Sequence, residues 1–372
     1  ALGLILFALG SFLGAMTDSI YGMILARCLQ GTGAVGSVLI ALLADLTPDY
    51  ARTKAMAVIG MTIGASFSLA MIISPILTRY FGLAGIFYLT TFLALFGLIL
   101  LYWVIPKPSK EPFAADNIAK LPLMYSVLKN PHLQKLNAGI FCQHFILTAT
   151  FFSMPLILNQ LQLSQQWHFY LPLLLLAFVV MMPFIMVCEK KKLMKPLFLG
   201  AVAVTAIAQI LLGFFYLNWL YLCLIFFSYF VAFNILEASL PSLVSKQANP
   251  QYKGTALGLY STCQFFGIFA GGTAAGLAFS QWGNAGIFLM NGLAASLWFI
   301  YSLSFKPNQY ISTLKLPYPK GARADQELTA SLLGINGIKE VFISTEEQII
   351  YIHIDQESYE TGSAENILAS TL

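Results

Sequence analysis

Three side chains that can carry a charge lie within long apolar stretches of this sequence: Arg27, His144 and Glu237. A charge placed in hydrocarbon costs at least about 2.5 kcal/mol on insertion scales. Such a residue is therefore expected to face the interior of a helix bundle or an aqueous cavity, where it can move protons or bind substrate. The structural alternative is an Arg27 that extends to the membrane interface, and a neutral Glu237 and His144 that are hydrogen-bonded to neighbouring helices.

These residue types suit proton coupling for different reasons. Burial favours the neutral form of an isolated carboxyl such as Glu237, so this group can take up and release a proton near neutral pH. The imidazole of His144 belongs to a side chain that titrates close to neutral pH without any perturbation. Glycines next to Arg27 indicate a packed side of the helix, which places its guanidinium inside the bundle. We therefore predict that Arg27, Glu237 and His144 are the proton-coupling residues.

Composition predicts the elements that carry these residues. The chain has 372 residues, of which 58% are hydrophobic and 10% are charged, whereas a soluble domain contains about 25% charged residues. A helix needs about 20 apolar residues to cross a bilayer. Ten stretches meet this requirement, at roughly 1–17, 20–46, 53–78, 84–105, 133–158, 168–188, 196–216, 218–245, 254–280 and 285–305. The sequence thus predicts an all-α polytopic membrane protein.

The connections between these stretches alternate in charge. Basic residues concentrate near 52–54, 107–135, 190–195 and 246–253. The intervening connections contain a single Lys or Arg residue, Arg79. Because Lys and Arg are retained on the cytoplasmic side of a membrane, the basic connections are predicted to be cytoplasmic. The same alternation predicts that the C-terminus is cytoplasmic.

The longest basic loop, residues 106–132, divides the ten stretches into four and six. The segment TPDYARTKA at 47–55 matches NPQYKGTAL at 249–257 in its Pro, Tyr and Thr positions, as expected for a parallel repeat of two six-helix halves. Residues 1–105 are then the remainder of the N-terminal half, and residues 133–306 are the C-terminal half. Equal halves require two further helices ahead of this sequence, so we expect ten visible helices of twelve in an N-terminally truncated chain.

Signals for other protein classes are weak. The glycines of GTGAVG, residues 31–36, fit a dinucleotide-binding pattern, but no predicted strand precedes them and the surrounding stretch is apolar. The five cysteines lie singly in apolar segments, so neither a disulfide framework nor a metal site is expected. Motifs of hydrolases, metalloproteases and P-loop pumps are missing from the sequence. We therefore expect neither an enzyme nor a resident cofactor.

Two further groups of residues are candidates for conformational change. Asp45 and Arg52 flank a cytoplasmic turn, either as an interfacial pair at helix ends or as a gate contact that breaks between inward-facing and outward-facing states. The third apolar stretch contains small residues and a proline, at which helices bend. The positions expected to bend there are Gly60, Gly64, Ser74 and Pro75.

These residues give the sequence a resemblance to the major facilitator superfamily, and in particular to its drug:proton antiporters. Arg27-x-x-Gln30-Gly31 is similar to motif B of that superfamily, whose arginine is associated with proton coupling. The segments at 41–60 and 239–267 resemble the same family. The resemblance implies the major facilitator fold, transport driven by a proton gradient without a cofactor, and a place in the bacterial inner membrane.

The resemblance also assigns roles to residues of the N-terminal half. Asp45 matches the acidic residue that contacts motif A of the family. The helix with Gly60 and Gly64 corresponds to the antiporter motif C. In this sequence Ser74-Pro75 stands where motif C normally has Gly-Pro.

Composition changes after residue 306. Residues 307–372 contain four basic and nine acidic residues, and their alternation and turn signals predict five elements. These are strands at Ile311–Leu316, Ile338–Ser344 and Gln348–Asp355, and helices at Asp325–Leu333 and from Ser363 onward. The βαββα order predicts a small cytoplasmic α+β domain of the ferredoxin-like fold, which resembles the YAM domain of the family. This acidic domain either docks on the basic loops and biases transport or is a passive appendage.

The predicted function is that of a proton-coupled secondary active transporter that exports small amphipathic compounds by alternating access. Its partners would be a small-molecule substrate, protons and membrane lipid, with no nucleic acid. The alternative is a transporter-like membrane sensor that signals through its cytoplasmic domain. Flux through proteoliposomes separates these hypotheses, because a sensor binds its ligand without moving it.

Overall fold

In a computed structural model of the chain, long helices are followed by a small α+β domain. The structure describes residues 1–33, 35–36, 39, 42–43, 49–106, 121–163, 165–191, 193–248, 253–305, 311–318, 325–344, 349–355, 358–360 and 362–370. The apolar stretches form helices because a backbone surrounded by hydrocarbon must satisfy its N–H and C=O groups within its own segment.

Three of these helices can be given bounds within the described residues of the N-terminal part. Helix α1 spans Leu2–Met16, α2 spans Ile20–Thr32 and α3 spans Asp49–Trp103. Helix α3 has two arms separated at Gly82, whose φ of 64° lies in the left-handed region that glycine adopts without strain. Helix α1 packs against both α2 and α3.

In the part of the chain that the structure describes, six further helices follow in chain order. They are α4 (Leu121–Lys129), α5 (Pro131–Gln160), α6 (Trp167–Lys190), α7 (Met194–Phe215), α8 (Trp219–Gln247) and α9 (Lys253–Leu303). Asn130 and Asn218 cap α5 and α8, and each side-chain oxygen accepts two backbone N–H groups of the first turn. Helix α9 has two arms that meet at Gly283, with a φ of 63°.

Helix α5 joins two neighbouring helices of this second part. It packs along α9 and also contacts α8, while α7 packs against both α8 and α9. Buried side chains of the described residues form apolar clusters along these contacts, of which one surrounds Leu136 and Leu236 and another surrounds Phe226 and Phe230. Large apolar side chains on the outside of the helices remain exposed, such as Val179 at 64%, and a bilayer would cover them.

Six helical stretches among the described residues are long and apolar enough to cross a membrane. They are Ile76–Trp103, Pro131–Gln160, Trp167–Cys188, Met194–Phe215, Trp219–Val244 and Gly254–Leu303. The last of them contains the break at Gly283. The chain is thus a mostly helical, multi-span membrane protein. The counts of ten visible and twelve total crossings stay predictions.

The described residues of the C-terminal domain form three strands and two helices. In chain order they are β1 (Ile311–Pro317), α10 (Asp325–Leu333), β2 (Ile338–Ser344), β3 (Ile349–Asp355) and α11 (Ser363–Ser370). The strands form one antiparallel sheet in the order β1-β3-β2. Alternate residues of β3, Ile350, Ile352 and Ile354, pack in one cluster with Leu328 and Leu332 of α10. The assignment to the ferredoxin-like fold stays a prediction.

The connection into α11 depends on Tyr359. Its hydroxyl accepts the backbone N–H of Ala364 at 3.1 Å and donates to Glu365 Oε2 at 3.2 Å. Partial burial raises the pKa of the Tyr359 phenol, so the hydroxyl keeps its proton as a donor. Gly337 makes this approach possible, because its φ is 91° and a Cβ there would lie 2.5 Å from Tyr359 N.

Candidate functional site

Two of the predicted coupling residues meet between α5 and α8. His144 Nε2 of α5 lies 3.8 Å from Glu237 Oε2 of α8, which is an ion-pair distance when the imidazole is protonated. The side chain of His144 is 6% exposed, whereas that of Glu237 is 33% exposed. The pair therefore combines a buried histidine with a carboxyl that remains partly accessible.

Two glutamine amides contact this pair. Gln143 Nε2, from α5, donates to Glu237 Oε2 at 3.0 Å and to the carbonyl of Phe233 at 3.3 Å. Gln264 Nε2, from the first arm of α9, lies 2.8 Å from His144 Nε2. Glu237, His144, Gln143 and Gln264, which we call the carboxyl–imidazole cluster, thus join α5, α8 and α9 through polar contacts.

Aromatic side chains border the carboxyl–imidazole cluster. The ring of Phe233 lies 6.1 Å from that of His144. Tyr260, one turn before Gln264 on α9, is 5% exposed. Among the described residues, the Tyr260 hydroxyl has no hydrogen-bond partner. A polar group buried without a partner is costly, so this hydroxyl is available to a bound water or substrate group.

Arg27 occupies a separate cluster at the contact of α1, α2 and α3. Its Nη1 donates to Gln30 Oε1 at 3.1 Å, and its guanidinium carbon lies 4.8 Å from the centre of the Phe87 ring. Gln30 Nε2 then donates to Ser11 Oγ of α1 at 2.7 Å. Among the described residues, the contacts of Arg27 are with Gln30 and Phe87 rather than with the carboxyl–imidazole cluster.

Small residues of α1 make the Arg27 cluster compact. A Cβ at Gly10 would lie 2.6 Å from the backbone nitrogen of Gln30, and one at Gly14 would lie 2.7 Å from the Phe87 ring. Glycine at these two positions therefore lets α1 approach α2 and α3 closely, as small residues do in membrane helix pairs. Gly33, directly after α2, packs against Gly3, whereas a Cβ at Gly31 in the last turn of α2 would have no atom within 4 Å.

The other predicted site residues are only partly described. Asp45 lies outside the described residues, so its predicted gate contact stays a prediction. Arg52 lies in α3, where only its backbone is described. The same holds for three predicted bending positions of α3, which are Gly60, Gly64 and Pro75. Ser74 is half-buried in α3, and its carbonyl accepts the Thr78 hydroxyl at 2.8 Å.

Sequence reasoning missed a second group of buried polar side chains. Asn291 Nδ2, on the second arm of α9, donates to Thr150 Oγ1 at 3.3 Å and to Gln209 Oε1 at 3.1 Å. Gln209 Nε2 donates to Thr150 Oγ1 at 3.1 Å. All three side chains are 0% exposed. This triad ties α5, α7 and α9 together within the second half.

One signal could have located both Gln264 and the buried triad. Uncharged amides are rare in lipid-facing positions, since a polar group in hydrocarbon needs a partner on a neighbouring helix. The sequence has Gln143, Gln209, Gln264 and Asn291 within its apolar stretches. A search restricted to charged residues passes over all four.

Comparison with known proteins gives concordant matches. The sequence profile of the Major Facilitator Superfamily matches residues 1–272. The inner membrane transport protein YajR of Escherichia coli (strain K12) is 39% identical over 357 residues, which cover 95% of this chain and 79% of that protein. An uncharacterized transporter of Buchnera aphidicola is 31% identical over 276 residues, covering 73% of this chain and 70% of that protein.

A solved structure shares the fold. The human organic anion transporter MFSD10 superimposes with a TM-score of 0.62 at 22% sequence identity, covering 81% of this chain and 75% of the human chain. Similarity at this level of identity speaks for the fold alone. The predicted family is confirmed by the profile match together with the E. coli relative.

Proposed function

Because this chain belongs to the major facilitator superfamily and is a membrane transporter rather than an enzyme, we propose that it is a proton-coupled secondary active transporter. We place it in the inner membrane, as its relative YajR is an inner membrane transport protein, and with a cytoplasmic C-terminus, by the charge of the loops. In this proposal, it exports small amphipathic compounds by alternating access.

The observation that carries the proposal is the contact between Glu237 and His144. Their 3.8 Å separation lies between helices of one half, and the carboxyl is the more accessible partner. A carboxyl beside a neutral imidazole can bind a proton and become neutral, which removes the charge that the buried site must stabilise. Loading and release of this proton can therefore select between two arrangements of the site, as coupling requires.

Arg27 supplies the fixed charge of the proposal. It lies in the other half, where Gln30 and the ring of Phe87 hold its guanidinium. Its charge does not change at physiological pH. A permanent cation in one half and a titrating carboxyl in the other would attract each other only when Glu237 is ionised.

Proton-driven flux in proteoliposomes tests this function. The full chain is reconstituted with a pH gradient, and both substrate flux and internal pH are recorded for a panel of lipophilic cations and organic anions. The panel includes anions because the structural relative is an organic anion transporter. We expect gradient-driven flux in the wild type, and loss of its gradient dependence in Glu237→Gln and Arg27→Ala.

Asp18→Asn is the matched control, because it removes a carboxylate from an exposed position between α1 and α2. It should transport like the wild type. Equal gradient-driven flux in Glu237→Gln and in Asp18→Asn would refute the assignment of the coupling proton to Glu237. Ligand binding without flux in every variant would refute transport itself and favour a sensor.

A further inference from the structure

The two ring nitrogens of His144 have partners of opposite character. Nδ1 lies 3.3 Å from the carbonyl oxygen of Ile140, and Nε2 lies 2.8 Å from the amide nitrogen of Gln264. A carbonyl oxygen only accepts, so Nδ1 carries a hydrogen. An amide nitrogen only donates, so Nε2 presents its lone pair. With the Gln264 amide in this orientation, these contacts favour a neutral imidazole with its hydrogen on Nδ1.

We infer that Gln264 is a positioning residue that holds His144 neutral and thereby assigns the transported proton to Glu237. This inference rests on the proposed function, since it concerns the same proton. A second proton, bound to His144 Nε2, would point at the amide nitrogen of Gln264, which is itself a donor and cannot accept it. The Glu237 oxygen, at 3.8 Å, is beyond hydrogen-bonding distance from it. Protonation of the imidazole therefore requires Gln264 to turn its amide or the ring to move.

The surroundings of the Glu237 carboxyl, unlike those of His144, leave room for a proton. Gln143 donates to Glu237 Oε2, and no described residue bonds to the second carboxyl oxygen, which can take up a proton. A proton that arrives from water forms an O–H bond on Glu237 and leaves His144 unchanged. Its release to water on the other side of the membrane restores the carboxylate. Among the described residues, the titratable groups that face this proton are His144 from α5 and Tyr260 from α9.

Helix packing supports the placement of Gln264. Gly267 and Gly271 follow it on the same helix and lie against the backbone carbonyls of Phe141 and Phe145 in α5. This backbone contact fixes the distance between α9 and α5. The amide of Gln264 is thus held by a rigid helix pair, as a residue that selects a tautomer requires.

Nitrogen NMR of the full-length protein with ¹⁵N-labelled histidine tests the inference. The sequence has four histidines, and the His144 signals are identified by their loss in His144→Gln. Between about pH 5 and pH 8, the range in which histidine ordinarily titrates, we expect a neutral His144 with hydrogen on Nδ1. In Gln264→Met the imidazolium signal should emerge within this range. In Gln264→Glu the imidazolium signal of His144 should persist to the upper end of this pH range, because the new carboxylate accepts a hydrogen bond from protonated Nε2.

Gln281→Met is the matched control, since it makes the same change at an exposed position of the same helix. It should leave the His144 spectrum unchanged. A cationic or Nε2-protonated His144 in the wild type would overturn the inference, as would an identical spectrum in Gln264→Met. If the wild type shows no gradient-driven flux, the proposed function fails while the spectrum still decides the role of Gln264. If the wild type shows gradient-driven flux but Gln264→Met leaves the His144 spectrum unchanged, the inference about Gln264 is refuted while the proposed function stands.

Discussion

Replacement of Gly271 by alanine tests the close contact of α9 with α5. A Cβ at this position would lie 2.8 Å from the Cα of Phe145 and 2.9 Å from its carbonyl carbon. Atoms of the backbone cannot rotate away as a side chain can. The two helices must therefore separate, or the variant must bear the strain. Gly276 lies on the same helix, and a Cβ there would meet no atom within 4 Å.

Two effects of opposite sign determine the size of the change. Alanine is more favourable than glycine in a helix interior by about 1 kcal/mol. Overpacking costs typically about 1–3 kcal/mol, and a backbone contact belongs at the upper end of that range. We therefore expect Gly271→Ala to lower the free energy of unfolding by about 1–2 kcal/mol. Gly276→Ala should raise it by up to about 1 kcal/mol.

Reversible unfolding in mixed micelles gives the free energy of unfolding of both variants beside the wild type. The two variants should differ by roughly 2–3 kcal/mol, with opposite signs relative to the wild type. If Gly271→Ala is as stable as Gly276→Ala, the helices are not in backbone contact at this point. The ¹⁵N spectrum of His144 provides a second readout, because separation of α9 from α5 withdraws Gln264 from the imidazole.

Three further predictions follow from other contacts. Asn291→Leu should lower the free energy of unfolding by about 1–2 kcal/mol in the same assay, since interhelical hydrogen bonds in membranes contribute about 0.6 kcal/mol each, with a maximum of about 1.7; a more stable variant would contradict this. Arg27→Lys keeps the charge but loses the planar contact with the Phe87 ring, and we expect about tenfold slower gradient-driven flux; unchanged flux would show that charge alone suffices. Gly337→Ala should make the C-terminal domain of the intact chain sensitive to limited proteolysis. Gly362→Ala, which shares a positive φ but has no atom within 4 Å of the added Cβ, should be affected less.

Hydropathy predicted the helices well because hydrocarbon leaves the backbone few alternatives. A stretch such as 168–188 can only satisfy its peptide groups as a helix, and the structure places α6 there. The C-terminal helix at Asp325–Leu333 and the strand at Ile338–Ser344 were also predicted with the observed bounds. Their period and their glycine boundaries are local properties of the sequence.

The candidate site was predictable only where a residue carries a charge. Glu237 and His144 stand out in apolar stretches, although no pattern in the sequence states that they lie within 4 Å of each other. Gln264 gives no such signal, because an amide has the same formal charge whether or not it orients a histidine. Its role follows from the register of α9 on α5, which depends on where Gly267 and Gly271 allow the helices to touch.

The structure reveals a second pair of matching segments in the internal repeat. Gly82 and Gly283 both break a long helix with a left-handed φ. The segments that follow read GLAGIF at 82–87 and GNAGIF at 283–288. Their offset of 201 is close to the offset of 202 between the segments at 47–55 and 249–257. The repeat therefore extends from a loop segment to a helix break, which favours duplication over coincidence.

The repeat does not extend to the residues that we assign to coupling. The phenylalanines that end the two segments, Phe87 and Phe288, are buried at 2% and 0% exposure. Phe87 holds the guanidinium of Arg27, whereas the ring of Phe288 lies 6.1 Å from that of Tyr216. At an offset of 202, Glu237 corresponds to Val35. The same packing element thus serves a charged site in one half and an apolar contact in the other. Each half keeps the helix break, whereas Glu237 occupies a position at which the other half has no charge.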